Sequence, residues 1–325
     1  MPFSLNAYAA YFKHLSAGMV ITVFGLVIIL NTIFSGSFAS AKEPLTLVAI
    51  VVSQQIRPYL KALEGLSDEA ASGPGLDISR FYLEKYQGRQ LDALKKDLSG
   101  FDLLIAVGPE AAGFIWNDLN KKNFLRIYSM VLEPENIIKY DFDCCGIALE
   151  IPADIQMKII AGCLPGSHRI GILYDPLYNA ANVRQVEQSA AKFGLKIVPL
   201  RVSSKKEIFP ALSNNWDIID LLFFVPDRTV ISESLVQHII KQALLRGVPV
   251  IGYNRFFYEC GATLVFALDY REIGKDTARL AFKALKGKKC VKATPVFQAW
   301  LNVRTARLLG IKYELKLCPE VIVGP

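Results

Sequence analysis

Asp175, Asp227 and Arg255 are the residues whose type and spacing could do chemistry, because each closely follows a short apolar run: "RIGILYDP", "DLLFFVPDR" and "VPVIGYNR". A carboxylate can meet an ammonium group or move a proton, and a guanidinium offers the fork that suits a carboxylate. Asp227 and Arg255, at the ends of runs consecutive in sequence, would together hold an amino-acid-like ligand, with Arg228 turned to solvent. The plainer reading is equally weighted for the two aspartates: an Asp beside Pro at a helix start caps orphan N–H groups. Nothing obvious caps at Tyr253-Asn254-Arg255, which makes that triplet harder to read as structural.

In open parallel sheets, ligands bind beyond the carboxyl ends of the strands. Applied along the chain, this rule collects Ser53, Gln54, Ser129, Asp175, Tyr178, Asp227, Tyr253, Asn254, Arg255 and Asp269 as one polar and aromatic candidate set. Glu110 is left out, since the first turn of a helix favours an acid anyway.

Catalytic signatures are missing. There is no G-x-S-x-G elbow, no G-x-x-x-x-G-K-[ST] phosphate loop and no G-x-G-x-x-G fingerprint. His168 falls in a turn and His238 inside a helix, so neither stands at a strand end. The six cysteines form no C-x-x-C pair. No catalytic residue, metal site or cofactor is expected, and an enzyme working through Asp227 or Asp175 is the weakest reading.

The elements that must position these residues form an alternating series. "TLVAIVVS" at 46–53 is a continuous Val- and Ile-rich run of the kind buried on both faces of a parallel sheet. Pro58 opens a helix after it. "LDISRFYLE", "DLLIAVG" and "FLRIYSMVL" are further strands, with helices between them. Pro165-Gly166 marks a boundary, after which the series repeats from "RIGILYDP". "FDLLIAVGPE" and "IDLLFFVPDR" rhyme between the two halves. The expectation is an α/β chain of two Rossmann-like lobes with parallel sheets: residues 42–165, then 166–289, with a tail at 290–325 returning to the first lobe.

At 325 residues and 52% hydrophobic content, the chain is oily for a soluble protein, and Met19 to Leu30 inflates that figure. The run is short for a membrane span, which needs about 20 apolar residues. Ala39 and Ala41 form an A-x-A site behind it, so residues 1–41 read as a signal peptide, with an uncleaved anchor as the alternative. Export to the periplasm follows. The mature chain carries 36 basic and 30 acidic residues, dispersed rather than striped, which argues against nucleic acid as a partner. Buried free thiols are favoured over disulfides for the cysteines, because a chain this long does not need staples.

The second half resembles a known family. "HRIGILYDPLYNAANV", "GVPVIGYNRFFYECGA", "LDYREIGKDTARLAFKALKG" and above all the terminal "LNVRTARLLGIK" are similar to exported substrate-binding proteins of ABC importers, in the group that includes tryptophan- and tyrosine-binding members. The resemblance spans about 44 to 312 and is firm after 168. It implies type I periplasmic-binding-protein architecture, a small amino-acid-like molecule or small carboxylate closed between the lobes, and membrane permease and ATPase subunits as partners of a monomer. A ligand-sensing accessory module for a signalling partner is the second reading. The sequence departs from the pattern in lacking a lipobox Cys and in the bulky "YNRFF".

Overall fold

The computed structural model describes residues 45–73, 75–119, 125–138, 145–230, 232–315 and 321–324. The signal-peptide expectation at 1–41 lies outside the described residues. Among them, no helix is long and apolar enough to cross a membrane.

Strand β1 (Thr46–Val52) forms where sequence apolarity is continuous, and Val48 to Val52 are fully buried. It lies between β2 (Leu76–Tyr82) and β3 (Leu103–Val107) in a parallel sheet that continues through β4 (Leu125–Val131) to β5 (Gly146–Ala148). Helices α1 (Arg57–Ala71), α2 (Arg89–Leu98), α3 (Pro109–Gly113) and α4 (Pro134–Ile137) connect or cover these strands. Pro at the start of α1, α3 and α4 costs no hydrogen bond there.

The second sheet is built on β6 (Arg169–Tyr174), flanked by β7 (Lys196–Arg201) and β8 (Leu221–Phe223), and continues through β9 (Val250–Gly252) to β10 (Leu264–Leu268). Its helices are α5 (Ala153–Cys163), α6 (Pro176–Ala191), α7 (Ile208–Ser213), α8 (Glu233–Leu245) and the short α9 (Arg255–Glu259). Each sheet carries an apolar cluster on either face.

Three departures from the expected organisation concern where the chain crosses between lobes. The first crossing precedes α5, not residue 165: Met157, Ile159, Ile160 and Cys163 pack into the core of the second sheet. The second follows β10, where α10 (Tyr270–Leu285) returns and lies along α1 of the first lobe. Gly65 and Gly274 permit that approach, because a Cβ on either would collide with the facing backbone. Arg271 with Asp68 at 2.5 Å and Arg279 with Glu69 at 2.9 Å flank the same helix pair. The third comes after β11 (Lys292–Ala293), which is the one part of the expected tail that joins the first sheet, beside β5. Strands β12 (Phe297–Leu301) and β13 (Val321–Val323) extend the second sheet instead, β12 running antiparallel to β10, and α11 (Val303–Leu308) follows β12. Ala299 and Leu301 are fully buried there, so the tail is held by the core of the second lobe.

The cysteine expectation is also corrected. Cys145 and Cys290 form a disulfide with their Cα atoms 5.3 Å apart, and Cys163 is disulfide-bonded too. Cys260 is a free, partly exposed thiol. The reason is local: β11 has only two residues, and its pairing with β5 sets the preceding cysteines of both strands side by side.

Candidate functional site

The oily run before Asp227 pairs as a strand only through Phe223, and the chain then leaves the sheet through Phe224, Val225 and Pro226. Asp227 is 1% exposed, and four donors surround its carboxylate. Oδ2 accepts from the Asp175 backbone N–H at 2.8 Å and from Asn179 Nδ2 at 2.6 Å. Oδ1 accepts from the Thr229 and Val230 N–H groups at 2.9 and 3.2 Å. Asp175 in turn caps α6 through the Leu177 N–H, and its other oxygen accepts the Thr229 hydroxyl at 2.7 Å. The pair of aspartates thus welds the end of the β8 run to the start of α6.

Most other sequence candidates hold local structure as well. Ser53 Oγ accepts from the Ala111 N–H at 2.9 Å, fastening the end of β1 to α3. The Ser129 and Thr277 hydroxyls are 2.8 Å apart, joining β4 to α10. Asn254 caps α9 and Asp269 caps α10, each accepting from a backbone N–H. Arg255 pairs with Glu259 at 2.8 Å, one turn on, with its side chain 70% exposed. Tyr178 lies half-exposed under the guanidinium of Arg228. Gln54 is exposed after β1.

Between the lobes lies a cavity of about 780 Å³. Tyr253 and Asn254 line it; the other eight sequence candidates do not. The second lobe supplies an apolar floor of Phe223, Phe224, Val225 and Phe266, with Asn182 and Gln185 from α6 at one side. The first lobe contributes Leu132, Glu133, Glu135 and Asn136, just after β4. All three crossings also reach it, through Glu150 to Ala153, through Leu268 and Tyr270, and through Lys292 to Thr294. Strand-end reasoning reached Ser129 but stopped short of Glu133, and nothing in the sequence signalled Glu150 or Lys292, which the crossings alone bring to the site.

Among the described residues, four charged side chains line the cavity: Glu133, Glu135, Glu150 and Lys292. Lys292 Nζ lies 2.5 Å from Glu135 Oε1 and 3.1 Å from Glu150 Oε2. Glu150 also accepts the backbone N–H of Glu133, a residue in the left-handed region at φ 47°. Asn136 Nδ2 donates to Glu133 Oε2 at 2.7 Å. Burial pushes the Glu135 carboxyl up, but its bond from Lys292 and its own backbone N–H outweigh this and leave its pKa lowered. Burial likewise opposes the charge on Lys292, and the two carboxylates override it and raise its pKa. Tyr253 is pushed up to about 12, first by burial and then by the nearby Asp227 charge, so its hydroxyl is a neutral donor at any physiological pH. No group of three or more His, Cys, Asp or Glu among the described residues could hold a metal ion.

Two facing βα lobes, three crossings and a cavity at the strand ends define a protein of the periplasmic-binding class. A family model described as ABC transporter substrate binding protein matches residues 142–320, more than half of the chain, and the protein belongs to that family. No protein of curated function matches the sequence. Among solved structures, a domain from Streptococcus pneumonia in complex with L-Trp is 20% identical with a TM-score of 0.58, covering 86% of this chain and 100% of its own. The ligand-free, open structure of a substrate binding protein with adhesive properties from Clostridium difficile is 18% identical with a TM-score of 0.69, at 86% and 100% coverage. A solute binding protein from Bacillus halodurans with bound myo-inositol is 15% identical with a TM-score of 0.51, covering 82% of this chain and 97% of its own. At these identities the likeness establishes the fold, that of the type I periplasmic binding proteins. Members of the family are solute-binding proteins that take small ligands and deliver them to a permease.

Proposed function

We propose that this protein is an exported receptor of an ABC importer that binds a small organic molecule in the interlobe cavity and presents it to a membrane permease with its ATPase. The observation that carries the reading is the cavity itself, which both lobes and all three crossings line. Its volume suits a single small molecule, and its apolar floor with a few polar side chains on the walls has the make-up of a ligand pocket. Neither the amino-acid-like nor the small-carboxylate ligand expected from sequence gains an anchor from Arg255, which does not line the cavity and pairs with Glu259 at the surface. Receptor function of this kind needs only that the ligand bind one arrangement of the lobes better than the other.

The test is a thermal-shift screen of the mature chain against amino acids, amines, sugars and small carboxylates. A ligand at 100-fold its Kd should stabilise the protein by about 2.7 kcal/mol. Small-angle scattering with that ligand should then show compaction. Saturation without any change in the radius of gyration would count against a receptor that closes on its ligand.

A further inference from the structure

We infer that the cavity selects an organic cation, a compound with an ammonium or guanidinium group on an apolar body, over anions and neutral compounds of the same shape. The inference rests on the receptor reading above and names the ligand chemistry of that site. The described charges lining the cavity are three carboxylates and one ammonium. The site is therefore two units negative within a chain whose formal net charge is +7. The single cation is not available to an anion, because Lys292 already bridges Glu135 and Glu150. Among the described residues, Glu133 by contrast has only the Asn136 amide on its carboxylate. The amino end of α5 contributes Ala153 and Gln156 from its first turn, but its dipole amounts to about half a charge. Asp154 in that same turn is paired with Lys192 at 2.8 Å and adds no net charge there.

The floor adds a second, independent reason. Tyr253 and Tyr270 line the cavity with hydroxyls that stay neutral at physiological pH, and aromatic side chains beside a site favour a cation over an anion. An ammonium ion near the carboxylates, with its carbon skeleton against Phe223, Val225 and Phe266, satisfies both halves of the wall. A carboxylate placed anywhere in the same space meets excess negative charge in a partly desolvated site.

The experiment uses the mature chain and matched triplets of probes, with binding read by calorimetry at pH 7.5: tyramine, para-hydroxyphenylacetate and para-ethylphenol; putrescine, succinate and butanediol. The amine of at least one triplet should bind at least about tenfold more tightly than its anionic and neutral counterparts and weaken with added salt. Glu133→Gln should reduce amine affinity about three- to tenfold, while Lys292→Met, which removes the resident cation, should increase it. Circular dichroism confirms that both variants fold. Preference for the carboxylate in either triplet, equal affinity in both triplets, or the opposite signs for Glu133→Gln and Lys292→Met would each overturn the charge selection and leave the receptor reading standing. Failure of every probe class and of the wider screen would overturn the receptor reading and this inference with it.

Discussion

Replacing Asp227 by alanine separates a structural aspartate from a ligand-binding one. The substitution removes an acceptor from four donors, namely the N–H groups of Asp175, Thr229 and Val230 and the Asn179 amide. Asn179 Nδ2 keeps a partner, because the Pro226 carbonyl lies 3.2 Å away. Three backbone donors are then unsatisfied, two of them buried, at about 1–3 kcal/mol each when water cannot reach them. Since Thr229 is partly exposed, about 3–5 kcal/mol in total is a reasonable magnitude. Unfolding entropy near 2.1 cal/mol/K per residue over the roughly 280 residues from Thr46 onward converts this into a Tm lower by about 5–8 °C, if the lobes unfold together. Asp227→Asn should fall between, because its oxygen serves Thr229 and Val230 while its NH₂ group faces the Asp175 N–H. Differential scanning calorimetry reads the stability, and titration with a ligand from the screen reads the affinity, which should stay within about twofold. An unchanged Tm with affinity lowered tenfold would refute the reasoning and restore Asp227 as a contact for the ligand.

Gly274→Ala should destabilise the first lobe by about 2–4 kcal/mol, since the new methyl group has only the Ala62 backbone to push against; chemical denaturation would show it, and an unchanged midpoint would mean that α10 can slide along α1. Cys290→Ser should lower stability by about 2–5 kcal/mol and loosen the segment carrying Lys292, seen as faster hydrogen exchange at β11; identical exchange would show that strand pairing suffices. Burial alone would raise the pKa of Asp220, but bonds from the Arg169 side chain and from the N–H groups of Arg169 and His168 lower it overall. A lowered folded pKa gives stability that is present above the ordinary value of about 3.9 and is lost as pH falls through the folded one, so the acid limb of the wild-type melting curve below pH ~4 should flatten in Asp220→Asn.

What the sequence disclosed followed from local rules. The run from Val48 to Val52 had to be a strand buried on both faces, and Pro58 had to open a helix, because each statement involves only neighbouring residues. Asp175 and Asp227 were read as cap or contact with equal weight, and their hydrogen bonds support the capping role. Asn254 failed differently: its role as a cap of α9 was hidden because that helix has only five residues and little periodicity. Lobe membership could not be read either. The amphipathic face of α10, with Ile273, Ala278 and Ala281, fits any apolar surface, and only the Gly65–Gly274 approach selects α1. Glu150 and Lys292 stand more than a hundred residues apart, and their meeting depends on the pairing of β11 with β5.

The return of α10 to α1 bears on the order in which the chain can be finished. As synthesis proceeds from the amino end, residues 46–148 hold five strands of the first sheet, but the apolar face later shielded by Ile273, Ala278 and Ala281 lies open. It stays open while the whole stretch from 153 to 268 is made. The second sheet is no more self-sufficient, for β10 is an unprotected border until β12 arrives to pair with it. Neither lobe can mature before its neighbour, so each half spends its nascent life with a sticky surface, and partial chains ending before β12 should be substrates for chaperones and proteases rather than small stable domains.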